Sequence, residues 1–191
     1  MRLTKERAAQ NRRLIVEAAS RLFKLRGVEN VSVADVMKES GFTHGGFYNH
    51  FSSKEELATA ALIYAFDAAA DYLTEKAASG AAPQHGLTSV LAGYLSPAHR
   101  DTCGGGCPAA ALPVDAARNG KEVQAAFAEG LEAYLDILAA KMEGDRQEAR
   151  QEAIAFLSGM VGALLLSRAV KKARPNLSDE LLDSARRQFS K

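Results

Sequence analysis

Two stretches of this chain carry residue types whose spacing could do chemistry. One is Cys103-Gly-Gly-Gly-Cys107-Pro108, two thiols separated by three glycines with a proline behind the second. The glycines resist helix, whereas Pro108 is suited to the first position of a new one. Cys107 then falls at an N-cap, where helix amides and the helix dipole favour a thiolate. Three readings of the pair stand. The cysteines fill space in a glycine turn; or oxidation or adduct formation at Cys107 moves the following helix, with Cys103 within disulfide reach if the loop folds back; or both thiols hold a metal with His99 or His85, although C-x3-C plus a lone His is an incomplete ligand set.

The other stretch is Val31 to Lys54, VSVADVMKESGFTHGGFYNHFSSK, in which Thr43, His44, Tyr48, Asn49 and His50 can all donate hydrogen bonds around the pair Gly45-Gly46. Each glycine inside a helix costs on the order of 1 kcal/mol relative to alanine, so a short helix does not carry two of them for stability. Missing side chains let the backbone approach a partner closely, as a reading helix does at the floor of a DNA major groove. Phe47 and Phe51, four apart, share the other face and can hold the helix on its domain. Lys54 stands in the first turn of the next helix, where the macrodipole disfavours a cation; a phosphate shared with the helix N-terminus would explain it.

The elements that must position these residues follow from periodicity. Val33, Val36 and Met37 fall on one helical face behind Ser32, an N-cap candidate. Gly41 can close that helix in the left-handed conformation, and Thr43 can cap the next, His44 to His50. Ser53 and Glu56 have capping-box spacing and open a third helix. Upstream, Leu14, Ile15, Ala18, Ala19, Leu22 and Phe23 recur at helical spacing between Glu6 and Arg26, which supplies the helix on which this head packs; Met1 to Lys5 reads as a frayed arm.

With Gly41-Phe42-Thr43, Gly46-Phe47-Tyr48, His50-Phe51 and Lys54-Glu55-Glu56-Leu57 at these spacings, the stretch resembles the DNA-binding domain of the tetracycline-repressor (TetR/AcrR) family of bacterial transcription regulators, over roughly residues 7–62. The resemblance implies an all-α fold with an N-terminal three-helix helix-turn-helix domain, residues 1–54, and a larger helical effector-binding and dimerisation domain, residues 55–191. It implies a homodimer on double-stranded DNA at a palindromic operator, most simply a repressor, released by a small effector. Thr43, Tyr48, His50 and Lys54 match family positions that meet phosphates, and His44, Gly45 and Gly46 match those near base edges; Ser32 and Asn49 complete the candidate DNA-binding set.

Beyond the head, Glu55 to Ala78 reads as one Ala-rich helix able to act as a lever, closed by residues 79–83. A short helix, Gly86 to Leu95, ends before Pro97. Glu122 to Met142 carries Val123, Phe127, Leu131, Tyr134, Leu135 and Leu138 on one stripe. Tyr94, Phe127 and Tyr134, with Cys103 and Cys107, are the candidate effector or redox residues, and the apolar character of their helices suggests an uncharged or aromatic effector. Gln147 to Lys172 is apolar around most of its circumference, with Ala155, Gly159, Ala163 and Ser167 every fourth residue. Ser178 can cap a last helix bearing Leu181, Leu182, Ala185 and Phe189. These two C-terminal helices are expected to form the dimer interface.

Composition is that of an ordinary globular protein, with 47% hydrophobic and 25% charged residues among 191. Net charge is +1, yet ten Lys and Arg stand against five Asp and Glu through Lys54. That asymmetry points to a nucleic-acid partner for the N-terminal part. No secretion leader is visible at Met1 to Ser20, and the apolar run Ala153 to Leu166 is short and interrupted by Ser158, Gly159 and Gly162. A cytoplasmic protein with reduced thiols and no membrane partner is expected. No glycine-rich phosphate loop, metal-ligand run or nucleophile elbow occurs, so no catalytic residue, cofactor or metal is expected. The rival readings are an architectural DNA-binding dimer without an effector and a thiol peroxidase built on Cys107.

Overall fold

The first helix, α1 (Lys5–Arg26), buries Ile15, Ala19, Leu22 and Phe23 along the predicted stripe and leaves its arginines outside. The computed structural model describes residues 5–78 and 83–190, and these are helices and connecting turns without a strand. The expected arm at residues 1–4 and the turn at 79–82 lie outside the described residues. The second helix, α2 (Val33–Glu39), starts in a complete capping box: Asp35 N donates to Ser32 Oγ at 3.1 Å and Ser32 N donates to Asp35 Oδ2 at 2.9 Å. It ends at Gly41, whose φ of +80° is open to glycine at no steric cost.

The segment expected as a recognition α-helix is a 3-10 helix, His44–Asn49. Gly46 N donates to Thr43 O at 3.0 Å and His50 N to Phe47 O at 2.9 Å, the three-residue step of that geometry. Adjacent glycines give an α-helical turn no side-chain support, and the tighter turn tucks both Phe47 and Phe51 inside, their ring centroids 5.6 Å apart. Thr43 is the N-cap residue but its hydroxyl makes no capping bond.

The long helix α3 (Lys54–Ala77) forms as expected, with one difference at its start. Ser53 Oγ accepts the Glu56 amide at 3.0 Å, but the Glu56 carboxylate takes the amide and hydroxyl of Ser52, each at 2.8 Å, instead of closing the box on Ser53. Arg12 competes for the same carboxylate at 3.4 Å, which draws Glu56 toward α1. Downstream come α4 (Pro83–Tyr94), α5 (Pro97–Asp101), α6 (Pro108–Ala111), α7 (Pro113–Arg118), α8 (Lys121–Ala139), α9 (Arg146–Val170) and α10 (Pro175–Phe189). All five prolines of the chain, Pro83, Pro97, Pro108, Pro113 and Pro175, open helices, at first-turn positions where the missing amide costs nothing.

The core runs through the middle of the bundle, where α3 packs on α1 and α8, α8 on α9, and α9 on α10. Gly130 of α8 lies against the ring of Phe66, so the α3–α8 crossing has no room for a larger residue. The small-residue stripe of α9 is used within the chain. Gly159 meets Phe189, and buried Ser167 exchanges hydrogen bonds with Ser178, Oγ to O in each direction at 2.8 Å. Ser178 is therefore not the cap of α10. Pro175 starts that helix one turn earlier, after Arg174, and leaves Ser178 inside it.

By length and composition α9 is long and apolar enough to cross a bilayer, which the interrupted run did not predict. Here its inner face, Ala153, Phe156, Leu157, Met160 and Leu164, is core. Its other side leaves Ile154, Leu165 and Leu166 exposed, and nothing lies within 4 Å of where Gly162 would carry a Cβ.

Candidate nucleic-acid interface and effector cavity

The reading head is held from beneath and bare on top. Phe47 and Phe51 are buried, and the Arg12 guanidinium sits 4.5 Å from the Phe51 ring centroid, clamping α1 to the turn. Tyr48 is 70% exposed, and Thr43, His44, Gly45 and Asn49 are exposed beside it, with Gly46, His50 and Lys54 partly so. A Cβ on Gly45 would meet nothing within 4 Å, and one on Gly46 only Met37 and Thr43 at 3.7 and 3.9 Å, ordinary contacts. Neither glycine has a positive φ. Nothing inside the chain requires these glycines. Ser32, also exposed, spends its hydroxyl on the cap with Asp35, whose carboxyl the Ser32 hydroxyl and amide hold below its ordinary pKa.

The second site is a cavity of about 270 Å3 among α3, α4, α8, α9 and the glycine loop. Ala65, Ala68, Ala69 and Leu73 of α3, Val90 of α4 and Leu157 and Met160 of α9 make it mainly apolar. Of the candidate effector residues, Cys107, Tyr94 and Tyr134 line it; Cys103 and Phe127 do not. Phe127 sits edge-on to Phe66, centroids 5.3 Å apart.

Cys107 is buried, and its thiol faces the Tyr134 hydroxyl at 4.0 Å. It caps α6 in position only, because that helix is four residues long and the sulfur makes no capping bond. The expected capping geometry for a thiolate is thus not formed. Cys103 directs its thiol to Arg100 O at 3.8 Å, and both cysteines are free. The Tyr94 hydroxyl is buried with no hydrogen-bond partner. Burial, and then the nearby Cys107 sulfur, push both tyrosine hydroxyls well above their ordinary pKa.

His99 ties the loop down with both ring nitrogens. Nδ1 lies 2.7 Å from Tyr94 O and Nε2 accepts the Cys107 amide at 3.2 Å, which makes the ring a neutral Nδ1–H tautomer. Burial lowers its pKa, consistent with that state. His99 consequently has no nitrogen to offer a metal, His85 is exposed on α4, and no cluster of three metal-ligating side chains occurs among the described residues.

The loop also touches the head. Lys24 Nζ donates to Gly106 O at 3.2 Å and lines the cavity. A Cβ on Gly104 would stand 2.9 Å from Leu25 of α1, and Val28 N donates to Asp115 Oδ1 at 2.6 Å. On its far side, Arg168 of α9 donates to the carbonyls of His99 and Arg100, each at 3.0 Å, and Arg100, 7% exposed, reaches Ser178 at 2.8 Å and Asp179 at 2.5 Å on α10. Lys24 escaped the sequence reading as a cavity residue, and His99, named there only as a possible metal ligand, instead ties the loop down. Lys24 lies in the last turn of α1, where a cation reads as an ordinary partner of the helix dipole, and nothing local marks the loop that comes to meet it.

Residues 15–61 match the family model described as bacterial regulatory proteins, tetR family. The regulator TtgR of Pseudomonas putida is 45% identical over 62 residues, 32% of this chain and 30% of the relative. The chain thus matches about a third or less of the length of the curated relatives. Over nearly the whole chain the fold is that of a TetR transcriptional regulator from Chloroflexus aurantiacus, TM-score 0.80 at 20% identity covering 97% and 94% of the two chains. It is also that of reduced NemR from Escherichia coli, TM-score 0.75 at 22% identity covering 94% of each. The all-α architecture of helix-turn-helix head and larger helical body is therefore shared with these regulators.

Proposed function

We propose that this chain, which belongs by its N-terminal domain to the tetR family of bacterial regulatory proteins, is a cytoplasmic ligand-responsive repressor. It binds a palindromic operator as a homodimer and leaves it when its cavity is filled or Cys107 is modified. The observation that carries this reading is that cavity and reading head share a wall: Lys24 of α1 lines the cavity, and the loop bearing Cys107 rests on the end of α1. A ligand that prefers a displaced loop prefers a displaced α1, and that difference in affinity is all it has to spend on releasing DNA. The long α3 is one route from cavity to head; this loop is a second and shorter one.

One short reading helix covers few base pairs, so two heads about 34 Å apart in successive major grooves supply the specificity. The exposed apolar side of α9, together with α10, is the face on which two copies meet. Thr43, Tyr48, His50 and Lys54 meet phosphates, while His44, Gly45 and Gly46 lie at the base edges, with Ser32 and Asn49 at the margin. An electrophile that replaces the S–H of Cys107 by an S–C bond puts its own bulk into the cavity.

The test is operator selection from random DNA with purified reduced protein, repeated after treatment with a mild electrophile. A palindrome that is released after treatment by wild type but not by Cys107→Ser supports the thiol route. Recovery of no palindrome sinks the regulator reading itself.

A further inference from the structure

We propose that the cavity beside Cys107 takes a small carboxylic acid with an apolar body, its carboxylate held by Lys24 and the Tyr94 hydroxyl. This rests on the cavity being the effector site and names the chemistry of its occupant. Lys24 is the one side chain with a full charge among the described lining residues, and no Asp or Glu lines the cavity with it. It takes part in no ion pair among the described residues and donates only to the neutral Gly106 carbonyl. A lysine ammonium has three donors, and removing it from water without a counter-charge is unfavourable. Burial lowers its pKa for that reason.

The Tyr94 hydroxyl is a second donor on the same cavity, buried without a hydrogen-bond partner and with only the weakly accepting Cys107 sulfur near it. Two donors on a mainly apolar wall, which also carries the hydroxyls of Tyr72 and Tyr134 and the Cys107 thiol, match a group with two acceptor oxygens and one negative charge. An amide or ester of the same shape brings one carbonyl and no charge, and a phosphate monoester brings more charge than a single ammonium answers. Ala65, Leu73, Val90 and Met160 call for a hydrocarbon body on the other end. A cavity of about 270 Å3 is roughly nine liquid-water volumes, the size of an acid of about ten non-hydrogen atoms. The uncharged effector expected from helix composition is thereby revised, because the charge comes from α1 and not from the helices that form the other walls. Binding would draw the ammonium from Gly106 O toward the ligand and so act directly on the head.

The experiment is calorimetric titration of the full-length reduced protein, without DNA, with benzoate and hexanoate, each compared with benzamide or hexanamide. At least one acid is expected to bind tenfold or more tightly than its amide. Lys24→Met should erase that ratio by lowering acid affinity more than amide affinity, Lys24→Arg should keep it, and Tyr94→Phe should lower acid affinity several-fold. Amides that bind as well as the acids, acids that do not bind, or a preference that survives Lys24→Met overturns the assignment. Since no DNA is present, an acid that binds as expected yet leaves operator affinity unchanged counts against the proposed induction and leaves the site standing.

Discussion

Gly45 and Gly46 are glycines that the fold does not ask for. Space above Gly45 is open, Gly46 would meet only ordinary contacts, and neither has a positive φ, so Gly45→Ala should raise stability by about 0.4–1 kcal/mol through the unfolded chain. The same substitution should weaken operator binding, because the added methyl stands where DNA would approach. Thermal melting and fluorescence anisotropy on one preparation separate the two effects; unchanged operator affinity would remove the glycines from the interface. Lys54→Ala and Tyr48→Phe should weaken binding to all sequences alike, and Lys54→Ala, which removes one phosphate contact from each head of the dimer, should flatten the slope of log affinity against log salt by about 1.8. A changed sequence preference in either variant contradicts the phosphate assignment.

At the scale of elements, the glycine loop depends on the ionisation of His99. Its Nε2 can accept the Cys107 amide only while unprotonated, and its folded pKa is depressed by burial. The contribution to stability is therefore complete above the unfolded value of about 6.5 and is lost as pH falls from there through the folded value. Denaturant midpoints measured from pH 7.5 down to 5 should fall, and His99→Gln should flatten that slope. The α3–α8 crossing makes a separate prediction: Gly130→Ala presses a methyl into Phe66 and should cost about 1–3 kcal/mol on denaturation. The longer helices were legible from sequence because their apolar spacing, caps and prolines are local signals, whereas the short α5 and α7 within the irregular stretch were not expected. The 3-10 turn at His44–Asn49 and the place of Ser178 inside α10 were not, since the first is set by packing two phenylalanines and the second by a proline that competes with a plausible cap. Half of the cavity was legible in Tyr94, Tyr134 and Cys107. Lys24 was not, because its role is made by a contact across 82 residues of chain, and His99 was read only as a possible metal ligand because its hydrogen bonds to Tyr94 O and the Cys107 amide form only when the loop closes on it.

For the whole molecule, the outer side of α9 fixes a prediction about assembly. Leu166, 58% exposed among other apolar residues, should tolerate Glu within the subunit, and Leu166→Glu should shift sedimentation toward the monomer while the melting of the helices persists. Operator affinity should fall with it, since each head alone reads half a site. A dimer that survives this change with full affinity would move the interface elsewhere. The bolt formed by Arg100 and Arg168 then takes on a further meaning. It fastens the floor of one subunit's cavity to α9 and α10, the helices through which that subunit would grip its copy. Filling one cavity would thus alter the readiness of the other to fill, and the pair would not answer the effector as two independent receptors do.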